Sequence, residues 1–216
     1  MLPIVRDGLV LEMHFNELNG STVYDLSGNN NHGTIYGATR VQEGFGRALL
    51  FDGVDDYVKI NYSTSMNLQQ AFTFSAWVYP VVGGIDWRNV VGQIGVDDGI
   101  FFMGGNYFMG SVWVVNPDGS KTRLWVGGTP KQISKWYFVV FTGISGVGYK
   151  LYVNGILENE VNDTRPHQNL TTDFYVGGFD TRCFFSGIID DVLIYNRALS
   201  DDEIKAIYNY YMKKRM

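Results

Sequence analysis

Three loop-like stretches each set a large ring beside glycine and a polar neighbour: Gly83–Gly84–Ile85–Asp86–Trp87–Arg88–Asn89, Gly104–Gly105–Asn106–Tyr107 and Gly178–Phe179–Asp180. Sugars are held by stacking their C–H faces on flat rings while a few polar groups fix orientation. Trp87, Tyr107 and Phe179 are therefore candidate platforms, with Arg88 and Asp180 as candidate hydrogen-bonding partners. The competing reading is that these rings pack over the end of the fold. Trp113, Trp125 and Trp136 fall in strand-like stretches, where either sheet face is open to them. Acidic residues also gather in loops, and carboxylates are the hard oxygen donors that calcium takes. His14, His32 and His167 are far apart and show no metal-ligand spacing; His32, in a turn motif, is expected to make a structural hydrogen bond. No nucleophile elbow is present. The one cysteine, Cys183, excludes an internal disulfide and a Cys-based zinc site. Its neighbour Arg182 would favour a thiolate, but a small buried hydrophobe is the commoner fate of such a residue.

The elements that must position these groups are strands. Phe72, Phe74, Ala76 and Val78 alternate with Thr73, Ser75, Trp77 and Tyr79, the period-two pattern of a sheet strand. Further strands are expected at Leu9–Phe15, Ala48–Phe51, Tyr57–Ile60, Ile100–Met103, Phe108–Val115, Thr122–Val126, Trp136–Thr142, Tyr149–Val153, Asp173–Val176 and Gly187–Tyr195. Asn154–Gly155 is a strong hairpin signal, because both turn positions need positive φ, and Asn116–Pro117–Asp118–Gly119 reads as a longer hairpin loop. Ten or more short strands at this spacing predict a sandwich or barrel. One helix is expected at the end. Ser200 and Glu203 form an S-x-x-E capping box, Leu199 and Ile204 a hydrophobic staple, and Ile204, Ile207, Tyr208 and Tyr211 a stripe to lie on the sandwich.

Composition narrows the class. Hydrophobic residues make up 45% of the 216 and charged residues 18%, enough apolar mass for a core. Seventeen Lys+Arg against 22 Asp+Glu give −5, which argues against nucleic acid or an acidic membrane surface as a partner. The basic run Lys213–Lys214–Arg215 reads as a solvated tail. No apolar run approaches the roughly 18 residues of a membrane span, so no membrane insertion is expected. The first eight residues lack both a basic flank and a long apolar stretch, and no leader is read in them. With no linker, low-complexity tract or internal repeat, residues 1–216 are expected to form one domain.

Five segments together resemble a known family. Asp25–Thr34 is similar to the "D-x-S-G-N-x-N-H-G-T" opening of laminin-G-like domains, and Ala48–Val58 to their "ALxFDGxDDYV". Phe72–Val78 resembles "FTxSAWV", Lys150–Gly155 "KLYVNG", and Phe185–Ser200 "FxGxIDxVxIYNRALS". The resemblance runs in order from about Gly8 to Tyr208. It implies an all-β fold of the concanavalin A-like kind, shared with pentraxins, legume lectins and some glucanases: a two-sheet antiparallel jelly-roll sandwich, here with a short C-terminal α-helix.

The resemblance also implies where metals would sit. Asp190 matches an aspartate that in related glucanases holds a structural calcium with a backbone carbonyl at the "FDG" turn, here Gly53, and a residue near His14. Asp97 and Asp98 look like half of a pentraxin rim calcium site, with Asp180 as a partial match to the other half. The glucanases place their catalytic carboxylates in "E-x-D-x-x-E", which is absent; Glu158 and Glu160 read instead as an exposed strand edge. A non-catalytic module binding glycan or glycoprotein, in adhesion or targeting, is the expectation. A structural or protein-binding domain of a surface or virion protein is second, and a glycosidase third. Four N-x-S/T sequons, at Asn19, Asn61, Asn162 and Asn169, favour an extracellular or surface setting.

Overall fold

The computed structural model describes residues 4–43, 46–82, 87–94, 98–168 and 171–214. In chain order the strands are β1 (Leu9–Met13), β2 (Thr22–Val23), β3 (Gly33–Tyr36), β4 (Thr39–Val41), β5 (Ala48–Asp52), β6 (Tyr57–Ile60), β7 (Ala71–Pro80) and β8 (Arg88–Gln93). They continue as β9 (Asp98–Met103), β10 (Tyr107–Val115), β11 (Lys121–Pro130), β12 (Tyr137–Ile144), β13 (Gly148–Val153), β14 (Ile156–Asn162), β15 (Phe174–Val176) and β16 (Ser186–Tyr195). One helix, α1 (Asp201–Lys214), follows.

Two antiparallel eight-stranded sheets form a jelly-roll sandwich, as the alternation and the resemblance predict. One runs β14-β13-β12-β7-β16-β5-β4, with β1 also on β16. The other runs β11-β10-β9-β8-β15-β6-β3-β2. Alternate residues of both meet between the sheets, where Phe72, Phe74, Phe141 and Ile189 face Val58, Phe102, Phe108 and Phe174 in one core. The Asn154–Gly155 hairpin has φ of 54° and 75°, the left-handed pair its sequence demands. Phe15 also takes positive φ, 52°, and β1 stops at Met13 rather than running on to Phe15. Alternation does not mark β2, β3, β4 or β8, because two to four residues are too few to show a period and β8 mixes polar residues and glycine into its run.

The outer face of the first sheet is apolar too, with Trp77, Phe138, Val140, Tyr152, Leu193 and Tyr195 all buried. Helix α1 covers it: Ile204, Ile207 and Tyr211 are buried there, and the Trp77 ring lies 5.8 Å from Tyr208 and 6.0 Å from Tyr211. The capping box forms in both directions. The Ser200 N–H donates to Glu203 Oε2 (2.8 Å) and the Glu203 N–H to Ser200 Oγ (3.3 Å). Arg197 grips the same Glu203 carboxylate at 2.6 and 2.9 Å and, as the main cause, holds its pKa down to about 2. Ser200→Ala is expected to cost about 1 kcal/mol through loss of the N-cap acceptor. Deletion from Ile204 onward is expected to cost more by exposing Trp77 and Phe138. Chemical denaturation checks both, and a truncated chain of unchanged stability contradicts the docking of α1.

Candidate functional site

The outer face of the second sheet carries a run of rings in edge or face contact. Outward positions alternate with core positions: Tyr36 on β3, Tyr57 on β6, Tyr175 on β15, Phe101 on β9 and Trp125 on β11 all point away from the sandwich interior. Trp87, one residue before β8, and Phe179, after β15, complete the series. Consecutive ring centroids are 4.6 Å apart from Tyr36 to Tyr57 and 5.8 Å from Tyr57 to Tyr175 and again to Phe179. The series goes on through Phe101 at 6.2 Å, Trp87 at 5.8 Å and Trp125 at 5.1 Å. These separations are those of attractive edge-to-face and offset pairs. The Arg123 guanidinium lies 4.8 Å from the Trp113 ring centroid and 5.2 Å from that of Trp87. Lys59 pairs with Asp173 at 2.9 Å beside Tyr175.

Exposure along this ladder is uneven. Trp125 is 53% and Tyr36 44% exposed, whereas Tyr175, Phe101 and Phe179 are buried. The segment joining β15 to β16 covers the middle. The Cys183 carbonyl accepts from the Asn89 N–H (2.7 Å), and the Phe184 carbonyl from Arg88 Nη1 (2.8 Å). Burial, followed by the neighbouring Asp180, pushes the Tyr175 hydroxyl up to about 12.

Of the residues singled out in the sequence, Trp87 and Tyr107 do lie on this face, both half-buried. Phe179 does not serve as an open platform; it is fully buried against Phe101 and Tyr175 as the middle rung. Arg88 holds the Phe184 carbonyl beside Gly53 rather than facing outward with Trp87. Asp180 is exposed, 3.4 Å from the Tyr175 hydroxyl. Sequence reasoning leaves the face of Trp125 open and passes over Tyr36, Tyr57 and Tyr175. The signal lies in β11, where Leu124 and Val126 turn inward and Arg123 and Trp125 must turn out.

The residues expected to hold calcium do not come together. Asp190 is buried beneath α1 and accepts the Asp191 N–H at 2.8 Å. Gly53 lies just past Asp52, which pairs with Ser186, four residues of strand away from Asp190 and so roughly 13 Å distant. Asp98 opens β9 pointing into the sandwich, where it accepts the Trp113 N–H at 3.0 Å and lines a small internal cavity with Phe74 and His167. Its pairing with Gln93, opposite Phe174, puts it at the far end of β15 from Asp180. Asp97 lies outside the described residues. The carboxylates of Asp52, Asp55 and Asp56 do converge, within 4.8 Å of one another. Two of them serve the turn: Asp56 Oδ2 accepts the Asp52 N–H and Asp52 Oδ1 the Val54 N–H.

The laminin-like opening proves to be scaffold. Asp25 accepts backbone N–H groups from Glu12, Ser27 and Asn31, and His32 Nδ1 accepts the Asp25 N–H at 3.0 Å. Glu158 reaches across from β14 to the Thr129 N–H and Lys131, tying the edges of the two sheets. A cavity of about 400 Å³ lies on the other side of the molecule, between the β12–β13 hairpin and the start of α1. Much of its polar lining is mutually engaged, with Arg197 on Glu203 and the Tyr152 hydroxyl on Asp201.

Comparison with known proteins agrees with this architecture. A family model described as belonging to the concanavalin A-like lectin/glucanases superfamily matches residues 52–205. The binding domain of Paraclostridial Mosquitocidal Protein 1 is similar at a TM-score of 0.75 and 16% identity, over 95% of this chain and 53% of that one. The botulinum neurotoxin serotype D ligand-binding domain, solved with N-acetylneuraminic acid, is similar at 0.72 and 17%, over 95% and 52%. The binding domain of botulinum neurotoxin DC, solved with rat synaptotagmin II, is similar at 0.71 and 15%, over 96% and 52%. This chain thus spans about half the length of these structures, and the likeness at such identities is one of fold. Comparison with curated proteins finds no match.

A strongly perturbed ionisable group lies away from the aromatic face. His14 is held between two carboxylates, Asp191 on Nδ1 and Glu12 on Nε2 (2.9 Å), with Arg6 on the other side of Glu12. Burial lowers its pKa, but the hydrogen bonds to Asp191 and Glu12 outweigh this and raise it to about 10. A pKa raised on folding stabilises fully below the unfolded value near 6.5 and loses that contribution as pH climbs through 10. His14→Gln is therefore expected to cost on the order of 3 kcal/mol at pH 6, with the difference from wild type shrinking toward pH 10. Denaturation curves at the two pH values check this, and an equal loss at both contradicts it.

Proposed function

Given that this chain belongs to the concanavalin A-like lectin/glucanase superfamily, we propose that it is a non-catalytic recognition module. It binds carbohydrate, free or on a glycoprotein, through the aromatic outer face of its second sheet and so contributes adhesion or targeting. The observation that carries this reading is the ladder of rings from Tyr36 to Trp125, uncovered at both ends and flanked by hydrogen-bonding groups. An apolar sheet face of this kind is normally covered, as α1 covers the other sheet, and flat exposed rings beside polar side chains are what a sugar's C–H face requires. The neurotoxin D domain of the same fold was solved with a sialic acid, which supports a sugar as ligand. The mosquitocidal and neurotoxin structures are binding domains, which supports recognition over catalysis. Glu12 and Glu158, buried or ion-paired within the scaffold, are poorly placed as an acid/base pair. The sequon residues Asn19, Asn61 and Asn162 are all exposed, which supports an extracellular or cell-surface setting.

A glycan array followed by titration of any hit tests the reading. Trp125→Ala is expected to weaken binding by about 1–3 kcal/mol, the range for a truncated anchor, while leaving the melting temperature nearly unchanged. Trp87→Ala, whose ring also packs on Phe101, is expected to lose both affinity and some stability. Trp77→Ala, beneath α1, is expected to lose on the order of 3–5 kcal/mol of stability with affinity intact in the folded fraction. An empty array together with capture of a protein partner through the same face favours the protein-binding alternative, for which the neurotoxin DC complex with synaptotagmin II offers a precedent of fold.

A further inference from the structure

The rungs of the ladder that meet solvent lie at its two extremes. Tyr36 stands on β3 and Trp125 on β11, six strand-to-strand steps apart in the sheet order. At about 4.8 Å per step the two ends are separated by roughly 29 Å along the sheet. Between them Tyr175, Phe179 and Phe101 are buried by the segment that leads into β16. That cover is fixed in place: the Phe179 N–H donates to the Arg182 carbonyl at 2.9 Å, and the backbone of Cys183 and Phe184 is hydrogen-bonded to Asn89 and Arg88. A single sugar ring is far shorter than this span.

Resting on the proposed carbohydrate-binding role, we infer that the face is bipartite and takes an extended, uncharged polysaccharide, which stacks on Tyr36 and Tyr57 at one end and on Trp125 and Trp87 at the other. Charge favours this occupant. At the tyrosine end Lys59 is already paired with Asp173, and at the tryptophan end the Arg123 guanidinium lies against two indole rings. Between them the exposed Arg182 lies over the Phe179 ring at 5.9 Å, so Lys59, Arg182 and Arg123 are each engaged by a carboxylate or a ring and offer an acidic chain little open positive charge. Area favours it as well. A protein partner requires a contiguous patch of about 800 Å², whereas the exposed rings form two separate patches that a chain of sugars can engage one ring at a time. Joining two weak contacts through one ligand makes the second contact intramolecular and raises affinity beyond either alone.

The test titrates neutral oligosaccharides of graded length, from di- to octasaccharide in the cello-, xylo-, manno- and laminari- series, against the whole chain and against Tyr36→Ala and Trp125→Ala. Both changes remove exposed rings, and melting curves confirm that each variant is folded. In the series that binds, affinity is expected to rise by at least about tenfold between the shortest and longest members. Either substitution is expected to bring the long oligosaccharides back to the affinity of the short ones. Equal affinity at all lengths, or sensitivity to only one of the two substitutions, overturns the bipartite face and leaves the carbohydrate-binding role standing. Absence of binding across all four series and on the glycan array overturns both.

Discussion

Both sheets of this sandwich are apolar on both faces, and burying the two outer faces is the constraint from which the rest of the molecule follows. Strands such as β7 and β16 carry large apolar side chains on both faces: Phe72 and Phe74 inward with Trp77 outward on one, Ile189 and Ile194 inward with Leu193 and Tyr195 outward on the other. A sandwich buries only the inner set. The first sheet solves the remainder with α1, whose buried Ile204, Ile207 and Tyr211 complete a second core. Among the described residues no helix lies over the second sheet. Its outer rings are covered only in the middle, by the short segment around Phe179, and the two ends of the ladder stay in water. An exposed aromatic patch that the fold could have covered is the feature that most needs a functional explanation.

Charge is handled differently on the two sides. Beneath α1, Asp190, Asp191, Glu12 and His14 are drawn into one buried network at an irregularity of β16, where Asp191 takes a φ of 50°. The half-buried His14 ring, held between two carboxylates, ties the first strand to the last, close to the C-terminal end of α1 where Tyr211 and Lys214 lie. The loop rich in Asp and Asn that precedes β3 is likewise inward-looking, since Asp25 and Asn31 saturate backbone groups of β1 and its neighbours. These polar motifs hold strands in place. The outer face of the second sheet, by contrast, keeps its polar groups at the surface beside rings.

Much of the architecture could be read from the chain. Long strands with clean alternation, the Asn154–Gly155 turn and the Ser200–Glu203 cap are local signals, and each appears where its chemistry puts it. The candidate site was legible only in part, because a site on a sheet is assembled across strands. Trp87 and Tyr107 stood out through glycine-rich surroundings, but Tyr36, Tyr57, Tyr175 and Trp125 come from four strands whose order in the sheet does not follow the chain. Phe179 misled for the same reason: nothing local reveals that it packs down on Tyr175 and Phe101. The expected calcium ligands failed on register. Gly53 follows the end of β5 and Asp190 lies on the adjoining β16, yet Ser186 rather than Asp190 lies at the Gly53 end.

In the proposed function the uncovered rings of the second sheet are where ligand is met. The most direct measurement is the set of indole N–H resonances of the five tryptophans, assigned by single substitutions and followed while the best glycan hit is titrated. The signals of Trp125 and Trp87 are predicted to shift in a saturable way, with Trp77, sealed under α1, unmoved. Saturable shifts at Trp77 or Trp136 with Trp125 silent would place the ligand on the helix side and contradict the claim.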